Sequence, residues 1–185
     1  AANGQEPGDI KVQDVDGNGV ITTDDRIIYS QRPDVTFGFN NTFNYKGFDL
    51  SVFLYARLGQ GIAYDYNTTY RINALENGGN VDYWTPENPT NAFPRPNKSK
   101  SYTQVTYYST LKYEDGSFFK IRDITLGYTF KPELLKHLNL SKLRVYATAK
   151  NFFTFSKIDN YDPEQGGSIS FPMTKQLVFG LNVEF

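Results

Sequence analysis

The chain has 185 residues and a formal net charge of −1, with no cysteine and a single histidine. The nearly balanced charge lacks the basic excess of nucleic-acid-binding domains, so we expect no nucleic-acid partner. Because His137 is the one imidazole and thiols are absent, the chain cannot assemble a zinc site or a histidine-assisted nucleophile, and we predict that it is not an enzyme.

An acidic segment near the start has the spacing of a calcium-binding loop. Such loops place oxygen ligands at alternating positions, with a glycine, here Gly19, at the sharp turn in their middle. The ligand positions fall on Asp14, Asp16, Asn18, the Val20 carbonyl and Asp25. The pattern predicts an EF-hand-like Ca²⁺ loop over residues 14–25, with Asp25 in place of the usual, longer Glu. The alternative is an Asx-rich turn that holds no ion.

Five later stretches alternate apolar and polar side chains with a period of two, which is typical of β-strands with two different faces. They are residues 34–45, 48–57, 117–130, 143–153 and 176–185. Lys46 and Gly47 lie between the first two and predict a tight hairpin turn. Each hairpin arm has about the ~9–11 residues that cross a bilayer when tilted.

The last stretch shows the alternation most clearly. One face carries only apolar side chains, which are Leu177, Phe179, Leu181, Val183 and Phe185. Such a face needs an apolar cover, either a second sheet or lipid. The mean hydropathy of −0.52 does not decide between them, because a transmembrane barrel also has polar side chains on half of each strand.

The third stretch is less regular in its first half. Lys120 and Arg122 fall on the same face as Ile124 and Leu126. Either the two cations lie beyond the apolar band, or a β-bulge shifts the register so that they lie on the other face.

The connections alternate between short and long. Two connections are short: the two-residue turn and residues 131–142, for which we expect helical turns over 132–138. The other two are long loops, at residues 58–116 and 154–172. Short turns on one side and long loops on the other are typical of outer-membrane barrels. We therefore predict an all-β, antiparallel up-and-down meander of about five long strands, over residues 34–185, that is part of a large transmembrane barrel. Residues 1–33 and both long loops are then extracellular.

The long loops carry the candidate binding residues. Tyr83 and Trp84 combine an apolar ring with a polar tip and suit sugars or peptides, although such rings also pack a loop on itself. One helical turn is expected within residues 80–89. Asp162 and Glu164 have no orienting partner in the sequence, so we expect them to be solvated or to bind metal.

These features resemble the C-terminal part of SusC/RagA-type TonB-dependent outer-membrane transporters of Bacteroidetes. The matching motifs follow one another in family order and cover most of the chain, at residues 8–21, 37–39, 45–53, 83–89, 115–128, 150–154, 161–164 and 179–185. The resemblance implies a plugged barrel of about 22 strands in the outer membrane that imports glycans or peptides. It also implies a SusD/RagB-like surface lipoprotein as lid, energy from a TonB complex through a missing N-terminal part, and Phe185 as the barrel-assembly signal.

Five strands cannot close a barrel, and an open sheet edge is not tolerated in lipid, so we expect the chain to be a piece of a longer protein. The alternative is a soluble, calcium-clipped extracellular β domain for glycan or protein adhesion, whose apolar faces would meet in a sandwich.

Overall fold

The computed structural model describes residues 6–63, 82–95, 113–158, 161–168, 170–171 and 173–185. In these residues there are seven β-strands, which are β1 (Val35–Tyr45), β2 (Phe48–Leu58), β3 (Gly61–Ala63), β4 (Tyr113–Asp115), β5 (Phe118–Thr129), β6 (Lys142–Ser156) and β7 (Gln176–Glu184). One short helix, α1 (Pro132–Leu135), continues into a 3-10 turn at Lys136–Leu138. The predicted helical turns between the third and fourth long strands are therefore confirmed.

The five long strands form one antiparallel sheet in the order β1-β2-β5-β6-β7, and β3 and β4 form a separate two-stranded sheet. This confirms the predicted all-β meander of five long strands. The hairpin turn has positive φ at both Lys46 and Gly47, as a type I′ turn requires. In the described part of the chain the sheet has two edges, β1 and β7, so it is not a closed barrel.

The chain divides into two compact units. One, the loop unit, comprises Ala1–Gln31, Gly61–Glu114 and Gly166–Ser170, and the other, the sheet unit, comprises Arg32–Gln60, Asp115–Gln165 and Phe171–Phe185. In the sheet unit, Gln60 and Gly116 join the two ends of the first long loop. The Gly116 N–H donates to the Gln60 carbonyl at 2.9 Å, and Gln60 Nε2 donates to the Gly116 carbonyl at 2.8 Å.

A bulge in β5 settles the position of Lys120. Leu54 pairs with Ile121 but Phe53 pairs with Asp123, so Arg122 is an extra residue relative to β2. The alternation of β5 therefore changes phase at this point. Phe119 and Ile121 share the apolar face with Ile124, and Lys120 lies on the opposite face. The bulge alternative is confirmed.

The two faces of the sheet differ throughout its width. On the apolar face large side chains remain exposed, with Leu177, Phe179 and Leu181 at 57%, 73% and 67%. The opposite, polar face carries ion pairs and hydroxyl pairs, such as Thr125 Oγ1 with Thr148 Oγ1 at 2.9 Å. Among the described residues, no helix has the length and apolar character that a membrane-spanning helix needs.

The helical turn expected within residues 80–89 is wrong for the described part, 82–89, which contains no helix. The Asp82 carboxylate instead accepts hydrogen bonds from Asn88 Nδ2 at 2.7 Å and Thr90 Oγ1 at 2.6 Å. These bonds favour a turn over a helix, because side-chain acceptors compete with the helical ladder.

Candidate functional site

The predicted calcium loop folds around its first ligand, Asp14. The Gly17 N–H donates to Asp14 Oδ1 and the Gly19 N–H to Asp14 Oδ2, both at 2.7 Å. Gly17 and Gly19 have φ of +76° and +83°, which glycine adopts without strain. The sequence folds into this loop because short carboxylates bond main-chain N–H groups while glycines supply the left-handed turns.

The structure brings three of the predicted ligands together. Carboxylate oxygens of Asp14, Asp16 and Asp25 all lie within 4.8 Å of one another. Thr22 caps a 3-10 turn at Thr23–Asp25 and so positions the last of them. Asp25 accepts from the main-chain N–H groups of Thr22 and Val15, at 2.7 Å each, and these bonds lower its pKa from the usual value. The donor set is charged and consists of oxygen atoms only, which fits a hard divalent cation.

The other two predicted ligands lie in the same loop. Asn18 donates through Nδ2 to Asp16 at 2.7 Å and accepts from the Val20 N–H at 2.7 Å. Residues 6–13 contain no helix, so the loop lacks the incoming helix of an EF-hand. This geometry favours a clip that holds a loop, and not a helix-opening sensor.

Tyr83 and Trp84 lie in the loop unit but have different surroundings. The Trp84 ring covers Gly8, where an added Cβ would lie 2.3 Å from Trp84 Cε3. The main-chain N–H of Trp84 donates to the Phe93 carbonyl at 3.1 Å. Tyr83 is 43% exposed. Arg95 pairs with Asp9 at 2.9 Å and with Glu6, which holds the segment around Gly8 in place. Of the two residues, Tyr83 is the more exposed, and Trp84 is half-buried.

The polar face of the sheet contains an ion cluster that the sequence analysis did not predict. Lys120 is fully buried, and its Nζ contacts Asp162 Oδ2 at 2.6 Å and Glu164 Oε2 at 2.8 Å. Arg122 contacts Glu164 Oε1 at 3.1 Å. The expectation that Asp162 and Glu164 are solvated or metal-binding is therefore wrong, because both are ion-paired and only about a tenth exposed.

The sequence did contain a signal for this cluster. Lys120 interrupts an apolar alternation, and a lysine among apolar neighbours is buried only with a counter-charge. The two carboxylates of the Asp162-Pro163-Glu164 turn, more than forty residues away, are those counter-charges.

The last predicted residue, Phe185, follows the end of β7 and is 94% exposed. Its role as an assembly signal remains a prediction.

Known proteins resemble this chain over almost its whole length. No protein-family model matches it. TonB-dependent receptor P3 of Formosa agariphila is 31% identical in an alignment of 203 positions, gaps included, which covers 97% of this chain and 19% of the relative. TonB-dependent receptor SusC of Bacteroides thetaiotaomicron is 31% identical over 181 residues, which cover 93% of this chain and 17% of the relative. The structure of the RagAB peptide transporter superposes with a TM-score of 0.67 at 26% identity, over 86% of this chain and 18% of that chain.

In its antiparallel meander, with one apolar and one ion-paired face, and in its sequence, the chain is similar to a β-barrel segment of TonB-dependent receptors. Within that class, the resemblance to SusC and RagA is confirmed over nearly the whole chain. The chain spans about a fifth of the length of the curated relatives that it matches.

Proposed function

We propose that this chain is part of a TonB-dependent transporter in the outer membrane, which imports glycans or peptides under a SusD/RagB-like lipoprotein lid. The TonB complex would act through a part of the protein outside this chain. The observation that carries the proposal is the apolar face of the five-stranded sheet, which Asn41 alone interrupts in β1. Exposed aromatic and aliphatic side chains cover it from Phe37 in β1 to Leu181 in β7. A face of this kind suits lipid, and the ion-paired opposite face suits a polar interior.

The first experiment fractionates membranes of native cells that make the full-length protein and labels single cysteines with an impermeant reagent. I28C, at a position that is 96% exposed in the loop unit, is compared with H137C, in the connector between β5 and β6. Labelling of I28C alone, in the outer-membrane fraction, supports the transporter. A soluble protein that is labelled at both positions contradicts it and favours the adhesion domain.

We also propose that residues 14–25 bind Ca²⁺ as a structural clip. The three clustered carboxylates and the glycine turns support this proposal. Calorimetric titration of the full-length protein with CaCl₂ would compare wild type with D14N and D16N. D24N is the matched control, because Asp24 is a neighbouring exposed carboxylate outside the cluster. Loss of binding heat in D14N and D16N but not in D24N supports the site, and equal heat in all four proteins contradicts it.

Tyr83 and Trp84 remain proposed contacts for a glycan or peptide. The exposed ring of Tyr83 supports this role better than the Trp84 ring, one side of which covers Gly8. Growth on a defined nutrient would be compared for Y83A and Y83F. If the ring contacts solute, Y83A slows uptake and Y83F does not.

A further inference from the structure

Large, fully buried side chains of the sheet unit lie at the long-loop end of its polar face. Among the described residues, the three largest fully buried side chains are Phe118, Lys120 and Pro163. Phe118 and Lys120 are near the start of β5, and Pro163 begins a 3-10 turn at Pro163–Gln165. The turn belongs to the second long loop, so this loop is not simply an extension beyond the strands.

The contacts show which group holds the turn. The ammonium of Lys120 is fully buried, and both of its carboxylate partners are in the turn segment, at 2.6 and 2.8 Å. Arg122 adds a second cation on Glu164 at 3.1 Å. Two cations thus meet two carboxylates, and the cluster is neutral. A buried charge of this kind is tolerated only while its partners stay in place.

The register shows where the turn lies. Lys120 pairs across the sheet with Tyr55 on β2 and with Thr154 on β6. It is two residues further along β5 than the first residue of that strand, Phe118. At about 3.3 Å per residue this is roughly 7 Å from the strand end. The segment therefore folds back onto the polar face.

We propose that Lys120 is a positioning residue that fixes residues 161–165 on the polar face as a permanent part of its surface. That this surface lines a solute path rests on the proposed function. The fixation by Lys120 does not, because it follows from contacts within the sheet unit alone.

The test measures access to the segment in the full-length protein in native cells. P163C reports detachment because Pro163 is fully buried, and Q165C, at an exposed position of the same turn, is the positive control. Each is labelled with an impermeant maleimide in the wild-type, K120R, K120M and K157M backgrounds. K157M is the matched control because it removes an exposed pair, Lys157 with Asp115, near the same end of the sheet.

We expect Q165C to react in every background and P163C to react slowly in the wild-type, K120R and K157M backgrounds. In K120M the labelling rate of P163C should rise about tenfold or more, because the segment opens locally. An unchanged rate in K120M, or P163C reacting as fast as Q165C in the wild type, overturns the proposal.

A second background keeps the test decisive if K120M fails to fold. D162N leaves the Lys120–Glu164 pair intact and should increase labelling of P163C less than D162N/E164Q does. If P163C is labelled equally slowly in D162N and in D162N/E164Q, the proposal that Lys120 fixes the segment is wrong. The fraction that contains the protein is recorded in parallel, so that a failure of the membrane assignment is distinguished from a failure of the fixation.

Discussion

Asp49 and Arg144 form a bidentate ion pair across the strand that lies between their own strands. Asp49 is on β2 and Arg144 is on β6, and Arg144 Nε and Nη2 lie 2.8 and 2.5 Å from the two Asp49 oxygens. The residue of β5 below them is Gly127, which pairs with Asp49 in the β2–β5 ladder. A Cβ at Gly127 would lie 2.5 Å from both Arg144 Nη2 and Asp49 Oδ1. The missing side chain is what allows the pair to form.

Gly127→Ala should therefore destabilise the protein by about 1–3 kcal/mol, because the methyl group displaces a paired guanidinium. Gly38→Ala, on the polar face of β1, is the control, because its added Cβ would meet Phe53 at an ordinary 3.7 Å. Thermal unfolding of the full-length protein in detergent measures both. Equal losses in the two variants would contradict the crossing role of Gly127.

Lys120→Met should be among the most damaging single substitutions. It leaves two nearly buried carboxylates without their cation, for which a loss of about 3–5 kcal/mol is expected. Lys157→Met breaks a pair whose side chains are 81% and 39% exposed, so it should cost about 0–1 kcal/mol. Denaturation curves of the two variants test this ordering, and a smaller loss in Lys120→Met than in Lys157→Met would contradict it.

Gly8→Ala should loosen the segment around Gly8 in the loop unit. Gly8 has φ of +88°, and its added Cβ would collide with the Trp84 ring. Gly166→Ala is matched for backbone strain, with φ of +66°, but its Cβ would meet nothing within 4 Å. Hydrogen exchange of residues 6–13 should accelerate in Gly8→Ala only. Unchanged exchange of this segment in Gly8→Ala would contradict the importance of the ring contact.

Asp115 should contribute to stability in a pH-dependent way. Hydrogen bonds from Ser117, and then the ammonium of Lys157, lower the pKa of Asp115 to about 2. Because the folded pKa is lower than the unfolded one, the contribution is complete above about pH 4 and is lost as the pH falls towards 2. The side chain is 39% exposed, so screening keeps the effect below about 1 kcal/mol. The difference in unfolding free energy between wild type and D115N should shrink over this interval, and a constant difference would contradict the assignment.

Phe185→Ala should reduce the amount of full-length protein that reaches the outer membrane, if this exposed aromatic after β7 is read during barrel assembly. Phe171→Ala is the matched control, since Phe171 is also exposed, at 79%, but lies in a loop. Immunoblots of membrane fractions measure both variants. Equal amounts of the two proteins in the outer membrane would argue against an assembly role.

Most of the fold could be predicted from local sequence. The alternation in β1, β2 and β7 located these strands to within one residue at each end. In a strand with one apolar face, every second side chain is apolar, so the pattern marks where the strand begins and ends. The spacing from Asp14 to Asp25 likewise located a cluster of carboxylates, since all of its atoms come from one short loop. In both cases the determining contacts are close in sequence.

By itself, the sequence determined the five long strands, their two faces and the acidic loop, but not the short β3 and β4, because only the former follow from periods and spacings of a few residues. Only the tertiary structure decided the face on which Lys120 lies and the partners that neutralise it. The Arg122 bulge exists only relative to β2, and Asp162 is 42 residues from Lys120. Register and charge pairing over such separations depend on which strands become neighbours, and no local period specifies that.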